Sequence, residues 1–326
     1  MAVNTIAEGD TRQVGLEAML RQGITLHAAR TNFEWPGAAS VVASAVQGVR
    51  GAWNGICRLN GSVVPHISAF LTAEEVWSPK PLQANAAKSF IGSYVLGIGF
   101  TLSPEEAAAH IARNVRNAEV LFPYLNGEDL NTHPQQQASR WIINFWDWPL
   151  DRSEDNGQWA GADDRQRQLW LRAGRVPADY PGQVAADFPD LLRIIETEVK
   201  PERQRVDKDG NYVLRKPMPQ RWWHYSEKRP ALYHTIGRGR VFARHPDGWM
   251  DGEQLMPQVT VFAQTSKTKY PHLVKNESIF DQKVVVIAST DTTHFAVLSS
   301  SLHYAWVHVH GSRMKTDAVY TPSDVY

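Results

Sequence analysis

The sequence predicts an α+β (mixed α/β) fold, and three observations support this. Gln258 to Gln264 and Lys283 to Ser289 are short runs rich in β-branched residues, the composition of strands. Ser103-Pro104-Glu105-Glu106 opens a helix: serine caps it, proline takes the first position, and two glutamates sit where the helix dipole favours negative charge. Elsewhere, strand-like segments meet through turn-rich loops rather than through regular strand–helix–strand units.

Along the chain, residues 24–70 read as short strands and turns, the turns marked by Trp35-Pro36-Gly37, Trp53-Asn54-Gly55 and Asn60-Gly61. The proline-bearing segment Ser78-Pro79-Lys80-Pro81 reads as a linker, with a domain boundary between residues 75 and 76. Ser89 to Leu102 is a glycine-interrupted strand pair, and the helix capped by Ser103 should reach about Arg113. Arg140 to Phe145 is a strand candidate, whereas Asp151 to Pro181 is polar, poorly patterned, and reads as a surface insertion. Pro189 to Val199 should be helical, with Leu191, Leu192, Ile195 and Val199 on one face. A last helix, capped at Asp291, Thr292 or Thr293, places Phe295, Leu298, Leu302, Trp306 and Val309 in an apolar stripe and reads as a core helix.

Composition excludes several classes of protein. The longest apolar runs fall far short of the roughly 20 residues of a membrane-spanning helix. One cysteine, Cys57, leaves no disulfide framework and no cysteine-based zinc cluster, so a reducing cytoplasm is the natural setting. Lys and Arg (34) balance Asp and Glu (34), but they are not evenly spread. Residues 101–192 hold 8 Lys/Arg against 14 Asp/Glu, and residues 193–244 hold 13 against 6. The basic block also contains Tyr212, Trp222, Trp223, Tyr225 and Tyr233. Cations interleaved with flat rings suit phosphates and bases, although a solvated helical face would look similar.

Three patterns invite a catalytic reading and fail on spacing. Gly92, Gly97 and Gly99 suggest a cofactor loop, but strand-like segments lie on both sides where a nucleotide-binding loop needs strand then helix. Close strand packing is the better use of these glycines. Pro189-Asp190 with Glu198-Val199-Lys200 spells a nuclease-like string, yet all of it falls on one predicted helix instead of on converging strands. His294, His303, His308 and His310 lack the spacing of a metal site.

Longer strings point to a family. NTIAEGDTRQVGL from Asn4, KSFIGSYVLGIGFTLSPEEA from Lys88 and NAEVLFPYLNGEDLNTHPQQQASRWIINFWDWPL from Asn117 are the first of them. VKPER from Val199, RWWHYSEKRPALY from Arg221, TVFAQTSKT from Thr260, FAVLSSSLHYAWV from Phe295 and MKTDAVYTPSD from Met314 follow. Together these resemble the region after the catalytic core of adenine-specific DNA methyltransferases of the type IIL (Mme-type) restriction–modification class. The resemblance implies that residues 1–75 form the end of a methyltransferase-like sheet and residues 76–326 an α+β target-recognition domain. The family's Asn-Pro-Pro-Tyr/Phe signature has no counterpart, since the sequence contains no Asn-Pro-Pro triplet. The expectation is a detached module, a split subunit or the product of a broken gene. It would have no cofactor of its own, where the full-length family uses S-adenosylmethionine.

The implied partner is double-stranded DNA, with a separate chain bearing the catalytic core as a further candidate and no membrane. Phosphate contacts fall to Arg203, Arg205, Arg221, Lys228, Arg229, Arg238 and Arg240, with Trp222 and Trp223 as a platform unless core packing claims them. Base reading falls to the polar loop Gln264, Thr265, Ser266, Lys267 and Lys269, which could also be an ordinary hairpin loop. No residue is assigned to catalysis or to a metal. Two alternatives stay open: a split methyltransferase completed by a partner, and a metal-dependent nuclease built on Lys200.

Overall fold

The computed structural model describes residues 2–36, 41–74, 80, 82–154, 157–246, 248–249, 254–314 and 317–325. The chain divides into two compact units, Met1–Ala86 with Gln264–Tyr270 and Ala296–Tyr326, and Ala87–Ala263 with Pro271–Phe295. Gly37 of the first expected turn, the expected boundary at residues 75 and 76, and Ser78, Pro79 and Pro81 of the expected linker lie outside the described residues.

The first unit begins with strand β1 (Ala2–Val3) and a helical stretch over 9–21 that contains a π-helical turn, Gln13–Glu17. Strands β2 (Ile24–Glu34) and β3 (Val42–Arg50) pair antiparallel, and β4 (Cys57–Leu59) joins β2 in parallel. With β5 (Ser62–Val64) the sheet order is β1-β3-β2-β4-β5. Asn60 and Gly61 link β4 to β5 with φ of 53° and 87°, the left-handed pair that a two-residue hairpin turn requires. Leu16, Leu26, Ala29, Cys57, Ile67 and Leu71 form the core of this unit.

The second unit holds two four-stranded sheets. Strands β6 (Ser89–Ile91), β7 (Thr101–Leu102), β8 (Leu121–Leu125) and β9 (Arg140–Ile143) come first in the chain. After β10 (Asp151–Ser153) and β11 (Arg175–Pro177) come β12 (Gln258–Ala263), β13 (His272–Lys275), β14 (Ile279–Phe280) and β15 (Val284–Ile287). One sheet runs β13-β12-β15-β6 and the other β14-β8-β9-β7. Strand β15 lies between β12 and β6, and all four of its residues are buried, which is why its sequence is continuously apolar instead of alternating.

Several local expectations hold. The helix Pro104–Arg113 starts at a complete capping box: the Ser103 hydroxyl accepts from Glu106 N, and the Glu106 carboxylate accepts from Ser103 N. The helix Pro189–Glu198 buries Leu191 and Ile195, with Val199 buried just beyond its end.

Two expectations are corrected. Among its described residues the segment 151–181 forms regular structure: β10 and β11 pair in parallel and are joined across the helix Asp164–Ala173. Leu171, Val176, Tyr180 and Val184, with Trp159 and Trp170 packed against them, give it a small core. Asp179 fastens the loop by accepting the N–H groups of Trp159 (2.7 Å) and Ala160 (3.1 Å), which hold its carboxyl below the usual range. The polar helix sequence DRQRQLWLRA hid this element. The final apolar stripe is not one core helix but two helices, Thr292–Leu298 and Ser301–His310, with the Ser300 hydroxyl capping the second. Leu298 and Val307 are buried while Leu302 is 81% and Val309 56% exposed, because the break at Ser299-Ser300 shifts the helical phase. Strands β16 (Ser312–Met314) and β17 (Asp317–Val319) then pair antiparallel. Among the described residues no helix is long and apolar enough to cross a membrane.

Candidate nucleic-acid interface

The basic block sorts into buried cations that hold the fold and outer cations that reach the surface. RWWHY folds inward. Trp222 and Trp223 are 5% and 2% exposed. Trp223 Nε1 donates to the Trp148 carbonyl (3.0 Å), as does His224 Nε2 (2.7 Å), and the Tyr225 hydroxyl donates to the Ile143 carbonyl (2.7 Å). Burial drives His224 well below the ordinary imidazole range, so it stays neutral. The tryptophan pair is core, and the platform expectation is corrected accordingly.

Arg203 is 2% exposed and faces no carboxylate among the described residues. Its guanidinium donates to the carbonyls of Val95 (2.7 Å), Leu96 (2.9 Å), Trp222 (3.4 Å) and His224, and lies 5.1 Å from the centre of the Phe100 ring. Burial lowers its pKa to about 10. Arg238 donates to the Ser278 carbonyl (2.6 Å) and sits over the rings of Phe122, Trp146 and Tyr233. Arg229 pairs with Glu227 (2.7 Å) and donates to the Gly92 carbonyl (3.3 Å). Lys269 is 3% exposed, its Nζ donating to the Gln264 carbonyl (3.4 Å). These four were expected to touch DNA. Arg203 and Lys269 are buried, Arg229 and Arg238 half-buried, and each donates to at least one carbonyl of this chain.

The remaining cations are placed differently. Arg221 and Lys228 are half-buried near Asp147. Asp147 accepts the N–H groups of Ala243 (2.6 Å) and Arg244 (3.2 Å) and faces the Arg244 guanidinium at 3.5 Å. Arg221 is tied to the Arg172 carbonyl. The Lys228 ammonium has no hydrogen-bond or ion-pair partner among the described residues. Burial lowers its pKa, Asp147 partly restores it, and Arg221, Arg244 and Arg203 lower it again, to about 8. One carboxylate among Arg172, Arg221, Lys228 and Arg244 leaves a local positive excess.

Arg205 is exposed on a loop that also presents Lys208, Arg215 and Lys216, three cations the sequence reading passed over. Val206 and Tyr212 bridge its base, and the Asp207 carboxylate accepts the N–H groups of Asp209 (2.9 Å) and Asn211 (3.0 Å). Tyr212 and Val213 are about half exposed at 47% and 48%. The signal was present: Asp209-Gly210 is a turn dipeptide between cations, and Gly210 has φ of 79°. Arg240 is exposed as well.

The polar loop from Gln264 belongs to the first compact unit, the basic block to the second. Tyr320 N donates to the Gln264 carbonyl (2.8 Å), Thr265 bridges to Val319, and the Ser266 and Thr268 hydroxyls are 3.2 Å apart. Lys267 is exposed, and Gln264, Thr265 and Ser266 are half-buried.

Two glycines of the glycine-rich segment lie where the chain packs closely on itself. A Cβ built at Gly92 would lie 2.2 Å from the Asp281 carbonyl oxygen, and one at Gly99 2.5 Å from Glu198 Cβ. The nuclease-like string is split instead of lying on one helix: Pro189 to Glu198 form one, and Lys200 opens the next, Lys200–Arg203, where it pairs with Glu196 (2.6 Å) and lies over the Trp222 ring. Among the described residues no group of three or more His, Cys, Asp or Glu could hold a metal ion. His303 bonds the Tyr320 hydroxyl (3.0 Å) and His294 the Ser289 hydroxyl (2.8 Å).

Residues 253–326 match the family model described as MmeI, target recognition domain. No curated protein matches the sequence. Among solved structures, the type IIL restriction–modification enzyme MmeI in complex with DNA is similar in fold, with a TM-score of 0.59 at 16% identity. That match covers 99% of this chain and 37% of the other. The type IIL resemblance thus holds in sequence over 253–326 and in fold over nearly the whole chain, and the mixed α+β class holds with it.

Proposed function

We propose that this chain recognises a specific sequence in double-stranded DNA, as the target-recognition part of a type IIL restriction–modification methyltransferase working in the cytoplasm. The match of residues 253–326 to a target-recognition family model is the observation that carries this reading. The outer cations support it. Arg205, Lys208, Arg215 and Lys216 on one loop, with Arg221, Lys228, Arg240 and Arg244, would neutralise phosphates and fix register. Gln264, Thr265, Ser266 and Lys267 would read base edges. Adenine methylation from S-adenosylmethionine is, in this reading, the work of protein outside these 326 residues, on the same chain or a separate one.

The test is binding of the purified chain to random duplex DNA across a salt series, with S-adenosylmethionine titrated in parallel. Affinity should fall log-linearly with salt, and the chain alone should not bind the cofactor. Replacing Arg205, Lys208, Arg215 and Lys216 together by alanine should reduce the salt slope by roughly 0.9 for each phosphate that is no longer neutralised. Wild-type chain that is folded by circular dichroism but ignores DNA at low salt would overturn the reading.

Lys228 adds a pH dependence. Its protonated form is the one that meets phosphate, so affinity should drop several-fold from about pH 7 to about pH 9, and Lys228→Arg should flatten the curve. Stability runs the opposite way. Folding lowers this lysine from 10.5 to about 8, so the unfolded chain holds more protons between those values. The burial penalty is therefore relieved as pH rises through that window, a rise that urea titrations of Lys228→Met should lack.

A further inference from the structure

The second compact unit contains a groove of about 410 Å³ that the basic surface does not use. One side is the run Gln135-Gln136-Gln137, which precedes β9; the other is edge strand β13 and the turn after it, with Gln258 at the start of β12. Trp141, half-buried, lines it, as does Leu273, 41% exposed. Lys275 and Glu277 at its margin cancel in charge, so nothing here selects an isolated phosphate.

The glutamines divide by role. Gln136 is held at φ of 50°, and its side-chain amide donates to the His133 and Pro134 carbonyls, 3.2 Å each. That amide is used to hold the loop in a conformation L-residues seldom adopt. The side-chain amides of Gln135, Gln137 and Gln258 have no partner among the described residues, and all three residues are exposed. An amide offers a donor and an acceptor side by side, the complement of the adenine edge, which presents an amino donor beside a ring-nitrogen acceptor. An indole face at the same place can stack a base.

We propose that this groove is an adenine-recognition site, in which Gln258, with Gln135 or Gln137, pairs with the base edge and Trp141 packs against the ring. The inference rests on the DNA-reading function proposed above and locates part of its specificity on β12 and the glutamine loop, away from the loop at Gln264. Two sources present this chemistry, a paired adenine in the major groove and an adenine unstacked from the duplex.

The test is selection of bound sequences from a randomised duplex pool by wild type, Gln258→Leu and Gln258→Glu. Wild type should enrich adenine at one position. Gln258→Leu should relax that position by roughly tenfold or more while leaving the salt slope unchanged, and Gln258→Glu, an acceptor only, should move the preference toward cytosine, whose amino group donates. Gln258 is exposed, so both variants should melt as wild type does. With 2-aminopurine placed beside the selected adenine, whose own amino group is kept, a rise in emission would identify an unstacked base, and no rise a paired one. Wild type that selects a motif which both variants retain would overturn this inference and leave the DNA-reading function standing. Wild type that binds no duplex would overturn both.

Discussion

Arg203→Ala is expected to destabilise the chain by about 4 kcal/mol, read as a lowered urea midpoint. Arg203 donates to four carbonyls drawn from two distant stretches, Val95 and Leu96 on one side and Trp222 and His224 on the other. No carboxylate among the described residues shares the site, so the carbonyl dipoles solvate the cation. Removing it leaves those oxygens buried without donors, each costing on the order of 1–3 kcal/mol, and opens a cavity beside Phe100. Arg203→Lys should recover less than half of the stability, since an ammonium cannot reproduce the planar fork. If Arg203 acted at a phosphate instead, the alanine variant would keep its midpoint and lose DNA affinity. Unfolding by circular dichroism beside DNA binding on the same sample separates the two.

Arg203 also shows where the sequence stops being legible. Its sign, its place in a basic block and the aromatic residues around it are all written locally, and they pointed outward. What turns it inward is carbonyls up to 108 positions away, and no local pattern records a backbone oxygen at that distance. Arg238 and Lys269 are turned toward this chain in the same way, each donating to a carbonyl. The elements that were legible have short-range causes: the Ser103 cap, the Asn60-Gly61 turn, and the apolar runs that became β12 and β15. The helix Asp164–Ala173 was missed because a small satellite core needs few apolar residues and leaves a weak period. The C-terminal stripe was over-read because its spacing fitted one helix, while Ser300 starts a second. Of the candidate interface, the net sign of 193–244 was legible. The loop at 205–216 and the glutamine groove were not, the groove because its walls come from four separated stretches.

Gly92→Ala is expected to cost about 3 kcal/mol or more. Its new Cβ would stand 2.2 Å from the Asp281 oxygen and 2.5 Å from the Phe280 oxygen, both main-chain atoms that no rotamer change can move. The close approach is made by Gly92 N donating to the Val284 carbonyl (3.0 Å) and Ser93 N to the Phe280 carbonyl (2.7 Å), so relief would require breaking that register. Gly99→Ala should cost less, because only Glu198 Cβ, at 2.5 Å, comes within 2.7 Å of its new Cβ, whereas three main-chain atoms do so at Gly92. A cofactor loop would give the reverse pattern. There the glycines leave room for a ligand, and alanine would abolish S-adenosylmethionine binding while sparing the melting temperature. Thermal melts of the two variants with and without the cofactor therefore decide between packing and binding. Midpoints that fall in the order Gly92→Ala below Gly99→Ala, and that do not respond to the cofactor, establish packing as the reason for these glycines.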